Sequence, residues 1–495
     1  MQAGLAALIV FTPFAFGTVE RWSLALMQWG IAVLFLVILA GRLLGKRAPD
    51  PRPPSTGLGW PVALGLVFVA LQLIPLPPAL LEIASPGSAR MYAVPRLAEL
   101  VEQQRPGLAL DPGDPFMDLR APERRPVSVN PEETHDRLVL LASLAMLFFL
   151  TVWWADRADR IQWVLALVTL VGSLVAGVGL IQYLTWNGKL LWFRRVPPRM
   201  PFGPFVNHNH FAGYVEMVIP IAVSLSLYLL DGRRSGRTAG PRDTAKAPMF
   251  AAGELKASLQ QSWGQAALTM FAAVILVVSL MFSLSRGGIL STLISVTVLL
   301  SILWRRIRSR RVAWSLAIGL PAIVLAMVVW IGVGVITEHF TTPEGVSNDA
   351  SFRARALIWS AAIQHMPQFL WAGSGAGTFE ESFAPFTPPG MSARWDKAHN
   401  DYLQFAWETG IVGVALFGFT AYRFIRRFAW PALTQRSDSL DLFRVALAVS
   451  LLSLALHSLV DFNLQIGANG FLFVLLAALL VALQRLQLKD LDASL

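Results

Sequence analysis

The sequence predicts an all-α polytopic membrane protein with about twelve transmembrane helices and a large loop region on one face. The 495-residue chain is 55% hydrophobic and only 15% charged, with a mean hydropathy of +0.55, which excludes an ordinary soluble domain. Its apolar residues fall in runs close to the length that crosses a bilayer. The 17 Trp and 30 Phe suit interfacial belts and lipid-facing surfaces. Cysteine is absent, which excludes disulfide and thiolate chemistry.

Twelve apolar runs are candidate spans of a single transmembrane domain over residues 1–495. The pair 265–284 and 287–304 is nearly continuous, and predicts either a tight helical hairpin or one span followed by a re-entrant segment. The twelve runs are residues 3–16, 24–44, 58–76, 138–155, 161–183, 211–230, 265–284, 287–304, 312–336, 405–424, 443–460 and 468–484.

The distribution of Lys and Arg predicts that both termini face the inside, because short inner loops of membrane proteins are rich in basic residues. Inner segments hold 23 of the 41 basic residues, including the clusters RRIRSRR at 305–311 and RFIRR at 423–427. The same enrichment accounts for the net charge of +10 without a nucleic-acid partner.

Three loops are long. Residues 77–137 and 337–404 fall on the outer face, and residues 231–264 form an inner segment with the composition of a flexible linker. Within 337–404, the stretch SFRARALIWSAAIQHM predicts a helix that ends before Pro367.

Several arginines fall on the outer face, where basic residues close to the membrane should be rare. Arg286 lies between two apolar helices and is followed by Gly287 and Gly288, which allow close backbone approach. A lone Arg at a helix end could snorkel to the headgroups. A group of Arg on one face favours an anion site instead, because the guanidinium matches phosphate oxygens with a planar donor fork. The group is Arg194, Arg195, Arg199, Arg286, Arg353 and Arg355.

Histidines also fall near this face. His208 and His210 form a His-x-His pair that could bind zinc, but neighbouring Asn residues and the lack of an acidic ligand favour hydrogen-bonded imidazoles. His457 and Asp461 are four residues apart, so we expect them on one face at the outer end of the eleventh span, in a structural role.

The stretch HNDYLQFAWETGIVG places His399 at the mouth of a predicted span. Asn400, Gln404 and Glu408 recur every four residues and form a polar stripe along the helix. The stripe fits a helix that faces a polar cavity with His399 at its mouth. It equally fits interhelical hydrogen bonding, which is common in membrane bundles.

The same stretch resembles the signature of the O-antigen ligase and O-antigen polymerase superfamily. FSLSRGG resembles the arginine motif of that family. GPFVNHNHFAGYVEMVIP, IPLPPALLEIASPGS and HSLVDFNLQ resemble it as well. The resemblance extends over nearly the whole chain and is most specific over residues 265–425, which include the loop 337–404.

This resemblance implies a bacterial inner-membrane glycosyltransferase of the GT-C type, active on the periplasmic side without metal or cofactor. The donor would be a glycan on undecaprenyl diphosphate. The acceptor would be lipid A–core for a ligase or another lipid-linked glycan for a polymerase, which would also work with a chain-length regulator. The long loop 77–137 tilts the expectation slightly towards a polymerase.

Family roles carry over to individual residues. Arg286 matches the family arginine that is assigned to the diphosphate. Arg355 or Arg353 matches the second arginine, and Arg355 is preferred. His399 matches the essential histidine. A neutral imidazole suits removal of a proton from the acceptor hydroxyl, and fixed Arg donors suit the charge on a diphosphate leaving group. Supporting roles are predicted for Asn400, Glu408, His208, His210 and Asp461.

Two other functions remain as alternatives. A transporter or flippase for lipid-linked glycan would need polar groups at the bilayer midplane with access to both sides, whereas here they gather on the outer face. An intramembrane metalloenzyme would use His208 and His210 as zinc ligands.

Overall fold

A computed structural model describes residues 1–44, 56–92, 124–196, 200–235, 249–306, 343–391, 395–435 and 440–492. Within these ranges the chain is helical, because each long apolar segment satisfies its own backbone hydrogen bonds as a helix. Short 3₁₀ turns and one π-helical turn at Ile425–Ala429 connect some of the helices. The α-helices are α1 Gln2–Phe14, α2 Arg21–Leu44, α3 Gly59–Leu71, α4 Pro78–Ala84, α5 Pro86–Tyr92, α6 Pro131–Trp154, α7 Ala158–Leu184, α8 His208–Ser235, α9 Met249–Phe282, α10 Arg286–Arg306, α11 Pro343–His365, α12 Phe379–Phe383, α13 Asp401–Phe424, α14 Trp430–Thr434, α15 Asp441–His457 and α16 Gly467–Asp492.

Eleven of the twelve predicted spans coincide with one of these helices, and the span 312–336 lies outside the described residues. Eight segments in the described part of the chain are long and apolar enough to cross a membrane. The remaining three predicted spans are shorter helices: α1 and α3 have 13 residues each, and α15 has 17. The prediction of an all-α, multi-pass membrane protein is confirmed.

Helix boundaries differ from the predictions at several places. Both α9 and α10 are long and apolar enough to cross a membrane, which favours the helical hairpin over the re-entrant segment for 265–304. The predicted linker 231–264 is shorter than expected, because α8 continues to Ser235 and α9 begins at Met249. Helix α6 begins at Pro131, where the Asn130 side chain accepts the N–H of Glu133 and Pro suits the first turn.

The chain divides into two compact units. The first unit comprises Met1–Thr56, Ser143–Asp349 and Arg423–Leu495. Helices α8 and α16 lie at its centre, since 83% of the membrane-spanning stretch of each helix is buried. Only 17% of the corresponding stretch of α2 is buried. The buried Ser226 hydroxyl on α8 donates to the Ala266 carbonyl at 2.8 Å within the same unit.

The second unit comprises Gly57–Ala142 and Ala350–Tyr422. Its core contains Phe369, Phe379, Phe383 and Trp407, all fully buried. The indole N–H of Trp407 donates to Ser382 Oγ at 2.7 Å, so this polar group is satisfied inside the core.

The two described ends of the loop 77–137 meet within the second unit. The hydroxyl of Tyr92 donates to the Ser128 carbonyl at 2.5 Å, and the Arg125 guanidinium lies 5.0 Å from the centre of the Tyr92 ring. Burial raises the pKa of Tyr92 above its ordinary value, so the hydroxyl stays a neutral donor.

Candidate functional site

The side chains of the polar stripe at the start of α13 form hydrogen bonds with other groups of the protein. Asn400 caps the helix, because its side-chain oxygen accepts the N–H of Leu403 at 3.0 Å. Gln404 and Glu408 are 1% and 6% exposed, and the Gln404 amide donates to Glu408 Oε1 at 2.8 Å. This contact confirms that the two residues share one face of the helix.

The other carboxylate oxygen of Glu408 faces a glycine-rich segment that we call the glycine loop, residues 370–378. The Gly377 N–H donates to Glu408 Oε2 at 2.7 Å. Gln72, at the end of α3, donates to the carbonyls of Ala372 and Glu408 and accepts the N–H of Ala376. Of the two interpretations of the stripe, the geometry supports hydrogen bonding to another segment, because loop backbone covers Glu408.

Helix α13 is interrupted at Gly410, which has φ 60° and ψ −167°. The glycine loop supplies backbone partners on both sides of the break. Ile411 N–H donates to the Leu370 carbonyl at 2.7 Å, and Gly375 N–H donates to the Glu408 carbonyl at 3.0 Å. A Cβ at Gly410 would lie 2.6 Å from the Trp371 carbonyl, so only glycine fits. The sequence predicts an uninterrupted helix here. The structure differs because the glycine loop packs against the helix and interrupts it at Gly410.

The backbone before His399 is fixed from two directions. The Ala398 N–H donates to Gln404 Oε1 at 3.1 Å, and the Ala398 carbonyl accepts the indole N–H of Trp359 at 2.8 Å. His399 follows with φ 51°, a left-handed conformation that few non-glycine residues adopt. Its half-buried ring meets the Trp395 ring edge to face, with centroids 5.8 Å apart. This conformation persists because hydrogen bonds to Ala398 hold it.

The arginines of α11 differ in environment. Arg355 lies one helical turn before Trp359 and therefore on the same face of α11. Its side chain is half-buried, whereas that of Arg353 is exposed. Since Trp359 bonds to Ala398, this face of α11 is the one directed at the segment that carries His399.

In the first unit, Arg286 opens helix α10 at a tightly held turn, residues 283–288, which we call the Arg286 turn. The His208 ring donates from Nδ1 to the Ser283 carbonyl at 2.7 Å. Leu284 adopts φ 56°, and Ser285 Oγ accepts the N–H of Gly288 at 3.2 Å as a helix cap. The guanidinium of Arg286 is half-buried.

A buried polar cluster that the sequence reasoning missed lies behind this turn. Glu216, fully buried on α8, accepts the Ser291 hydroxyl at 2.5 Å, and His457 Nδ1 lies 3.2 Å from its other oxygen. A Cβ at Gly287 would lie 2.8 Å from His457 Nε2, so the glycine lets the turn pack on this ring. A lone acidic residue within an apolar run was the available signal for Glu216.

The other predicted residues have separate surroundings. The His210 ring packs edge to face on Phe462, and the His210 carbonyl accepts the Asn469 amide. Helix α15 ends at His457, so Asp461 lies in the turn that follows the helix, where its N–H donates to the His457 carbonyl at 3.1 Å. The Asp461 carboxylate accepts the N–H of the adjacent Phe462 at 2.9 Å. No group of three or more His, Asp or Glu residues suited to a metal ion occurs in the described ranges.

The three other arginines predicted on the outer face have their own surroundings. Arg194 pairs with Glu20 and lies over the Phe16 ring, Arg195 is exposed, and Arg199 lies outside the described residues. The Arg194 contacts are local to the first unit and tie the turn before α8 to the start of α2.

These features define a multi-pass helical membrane protein that presents Arg and His side chains at helix ends. Residues 271–418 match the family model described as O-antigen ligase. This match confirms the resemblance of this region to the O-antigen ligase and O-antigen polymerase superfamily. The matched region contains Arg286, Arg355, His399 and Glu408. No curated protein is similar enough in sequence to count as a relative.

Proposed function

We propose that the protein transfers a glycan en bloc from undecaprenyl diphosphate to an acceptor hydroxyl at the periplasmic face of the bacterial inner membrane. The match to the O-antigen ligase family model supports a glycosyltransferase that uses a lipid-linked glycan and an acceptor in general. The observation that carries the finer proposal is His399, whose left-handed backbone is fixed through Ala398 by Trp359 and Gln404.

His399 is proposed as the general base. The acceptor oxygen attacks the anomeric carbon, and the bond from that carbon to the diphosphate oxygen breaks with its electron pair leaving on the diphosphate. The acceptor proton passes to the imidazole of His399. Direct displacement inverts the anomeric centre, and a correctly placed base contributes about 10²–10⁴ in rate.

Arginine is proposed to stabilise the charge that develops on the diphosphate. Arg355 is supported over Arg353 because it is half-buried on the face of α11 that carries Trp359. Arg286 is proposed for the same substrate group from the family resemblance, and the held turn with its Ser285 cap supports a fixed guanidinium. Preorganised donors of this kind lower the barrier without reorganising during the reaction.

Glu408 is proposed as a positioning residue. Its carboxylate accepts the Gln404 amide, and the Gln404 oxygen accepts the N–H of Ala398. The chain of bonds ends one residue before His399, so Glu408 acts on the histidine through the backbone.

The deciding experiment is transfer from an undecaprenyl diphosphate glycan by the purified full-length protein in lipid nanodiscs. We expect His399→Asn to lower the transfer rate by about 10²–10⁴-fold and to keep donor binding, measured separately by calorimetry. Asn is chosen because it tolerates the left-handed conformation, which separates loss of the imidazole from backbone strain. His135→Asn is the matched control, since His135 has 66% of its side chain exposed.

The acceptor is identified in two arms of the same assay. Transfer to lipid A–core defines a ligase, and extension of a second lipid-linked glycan defines a polymerase. A wild-type rate in His399→Asn would overturn the assignment of the base, and absence of transfer in both arms would overturn the proposed function.

A further inference from the structure

A cavity of about 500 Å³ lies in the first unit beside the Arg286 turn. This volume falls within the range of roughly 300–1,000 Å³ typical of small-molecule sites. The end of α7, the end of α9 and the start of α8 surround it. Four aromatic side chains form much of its wall: Tyr183, Trp186, Phe202 and Phe282.

Three polar groups of the wall are hydrogen-bonded to the protein itself. The Gln182 side-chain oxygen accepts the N–H of Leu191 at 2.7 Å. His208 donates to the Ser283 carbonyl, and the Ser283 hydroxyl donates to the Leu280 carbonyl. A sugar ring needs several hydrogen-bond partners for its hydroxyls, whereas a hydrocarbon needs none, so the wall favours a hydrocarbon.

The position of the cavity indicates which kind of hydrocarbon ligand would fit it. Leu284, part of the wall, is followed by Ser285 and then by Arg286. A ligand whose chain fills the cavity can place its polar head at the start of α10, where a guanidinium and a helix N-terminus favour an anion. A polyprenyl diphosphate has this arrangement, with an apolar chain joined directly to a dianionic or trianionic head.

We propose that this cavity binds the isoprene units of the donor lipid nearest to the diphosphate. The inference rests on the proposed function and adds the location of the lipid chain to it. The aromatic walls pack against the branched chain, and Met200, half exposed at the cavity, borders its opening. The subsite makes the enzyme sensitive to the length and branching of the lipid and not only to its diphosphate.

Photo-crosslinking tests occupancy directly. The probe is a polyprenyl diphosphate with a diazirine on its first isoprene unit, added to the full-length protein in nanodiscs. We expect labelled peptides that contain Tyr183, Phe202 or Phe282, and loss of label with excess undecaprenyl diphosphate. Equal displacement by excess phosphatidylglycerol would mean that a membrane acyl chain occupies the cavity, and label confined to other segments would also overturn the proposal.

Kinetics supply a second readout. Met200→Trp places a larger side chain at the opening, and we expect it to raise KM by about 10-fold for the undecaprenyl donor and to leave the geranyl donor of the same glycan nearly unchanged. Leu184→Trp is the matched control, because Leu184 is 75% exposed at the end of α7, near the cavity, and is not part of the wall. An equal effect on both donors, or none on either, would refute the chain subsite.

The two proposals can fail separately. If the wild type binds the probe in this cavity but transfers nothing, the proposed function fails and the lipid subsite stands. If the wild type transfers glycan but Met200→Trp does not discriminate chain length, only the subsite fails.

Discussion

The indole N–H of Trp359 donates to the carbonyl oxygen of Ala398 at 2.8 Å, one residue before His399. Ala398 is fully buried, so this carbonyl has no access to water as an alternative donor. The hydrogen bond links the helix that carries Arg355 to the residue that precedes the proposed general base, His399.

Trp359→Phe tests this link. The ring remains but its N–H is lost, which leaves a buried carbonyl unsatisfied at a cost of about 1–3 kcal/mol. We expect kcat for transfer to fall by about 10-fold, with KM for the donor little changed. Trp371→Phe is the control, because Trp371 is 55% exposed in the same unit. Equal losses in the two variants would show that the effect is not specific to Ala398.

Glu408→Gln tests the positioning role. Gly377 N–H and the Gln404 amide both donate to the carboxylate, and an amide can accept only through its one oxygen. One donor then faces another, so we expect a free energy of unfolding lower by about 1–3 kcal/mol, and a loss of transfer smaller than that of His399→Asn. Glu132→Gln, on an exposed side chain, controls for the change of charge. Wild-type stability in Glu408→Gln would contradict the geometry.

Gly410→Ala tests the interruption of α13. The φ and ψ of Gly410 suit glycine alone, and a Cβ would meet the Trp371 carbonyl at 2.6 Å. We expect backbone strain of about 1–3 kcal/mol plus the clash, seen as a lower midpoint of thermal unfolding in detergent. Gly418→Ala on the same helix should be tolerated, since nothing lies within 4 Å of its Cβ position. Similar midpoints for the two variants would mean that the glycine loop can move aside.

Arginine variants test the diphosphate contacts. We expect Arg286→Ala and Arg355→Ala each to lower transfer by about 10²–10³-fold while the protein remains in the membrane. Lys should rescue poorly, because its ammonium lacks the planar donor fork. The exposed Arg353 provides the comparison, and Arg353→Ala should stay within about threefold of wild type. Full activity of Arg286→Lys would identify Arg286 as a snorkelling anchor.

Reporter fusions test the orientation. The basic clusters at 305–311 and 423–427 predict that residues 100 and 375 are periplasmic and residue 245 is cytoplasmic. Alkaline phosphatase fusions should be active at the first two positions, and green fluorescent protein should be fluorescent at the third. A cytoplasmic signal at 375 would place the glycine loop on the wrong side for periplasmic transfer.

Much of the helical architecture could be predicted from the sequence, because apolar runs of spanning length leave the backbone few alternatives in lipid. The four-residue spacing of Gln404 and Glu408 correctly predicted a shared helix face. Spacing could not identify what covers that face, since the covering segment is an irregular loop that hydropathy does not recognise.

The features that the sequence did not predict have physical explanations. Asp461 was expected on a helix, but α15 ends at His457, and periodicity carries no information about where a helix stops without a strong cap signal. Glu216 was overlooked because one carboxylate barely changes the hydropathy of its span. Its significance appears only when Ser291 and His457, distant in sequence, are found beside it.

The contacts of Gln72 join segments that the ribosome synthesises at very different times. Its amide bonds to the Glu408 carbonyl across 336 positions of sequence, and the glycine loop that it also holds is synthesised almost as late. Helix α3 is therefore synthesised long before its partners emerge from the ribosome. The second unit can close only after translation has passed residue 408, so a chaperone or insertase that shields polar groups of early helices should matter more for this protein than for one built from sequential hairpins.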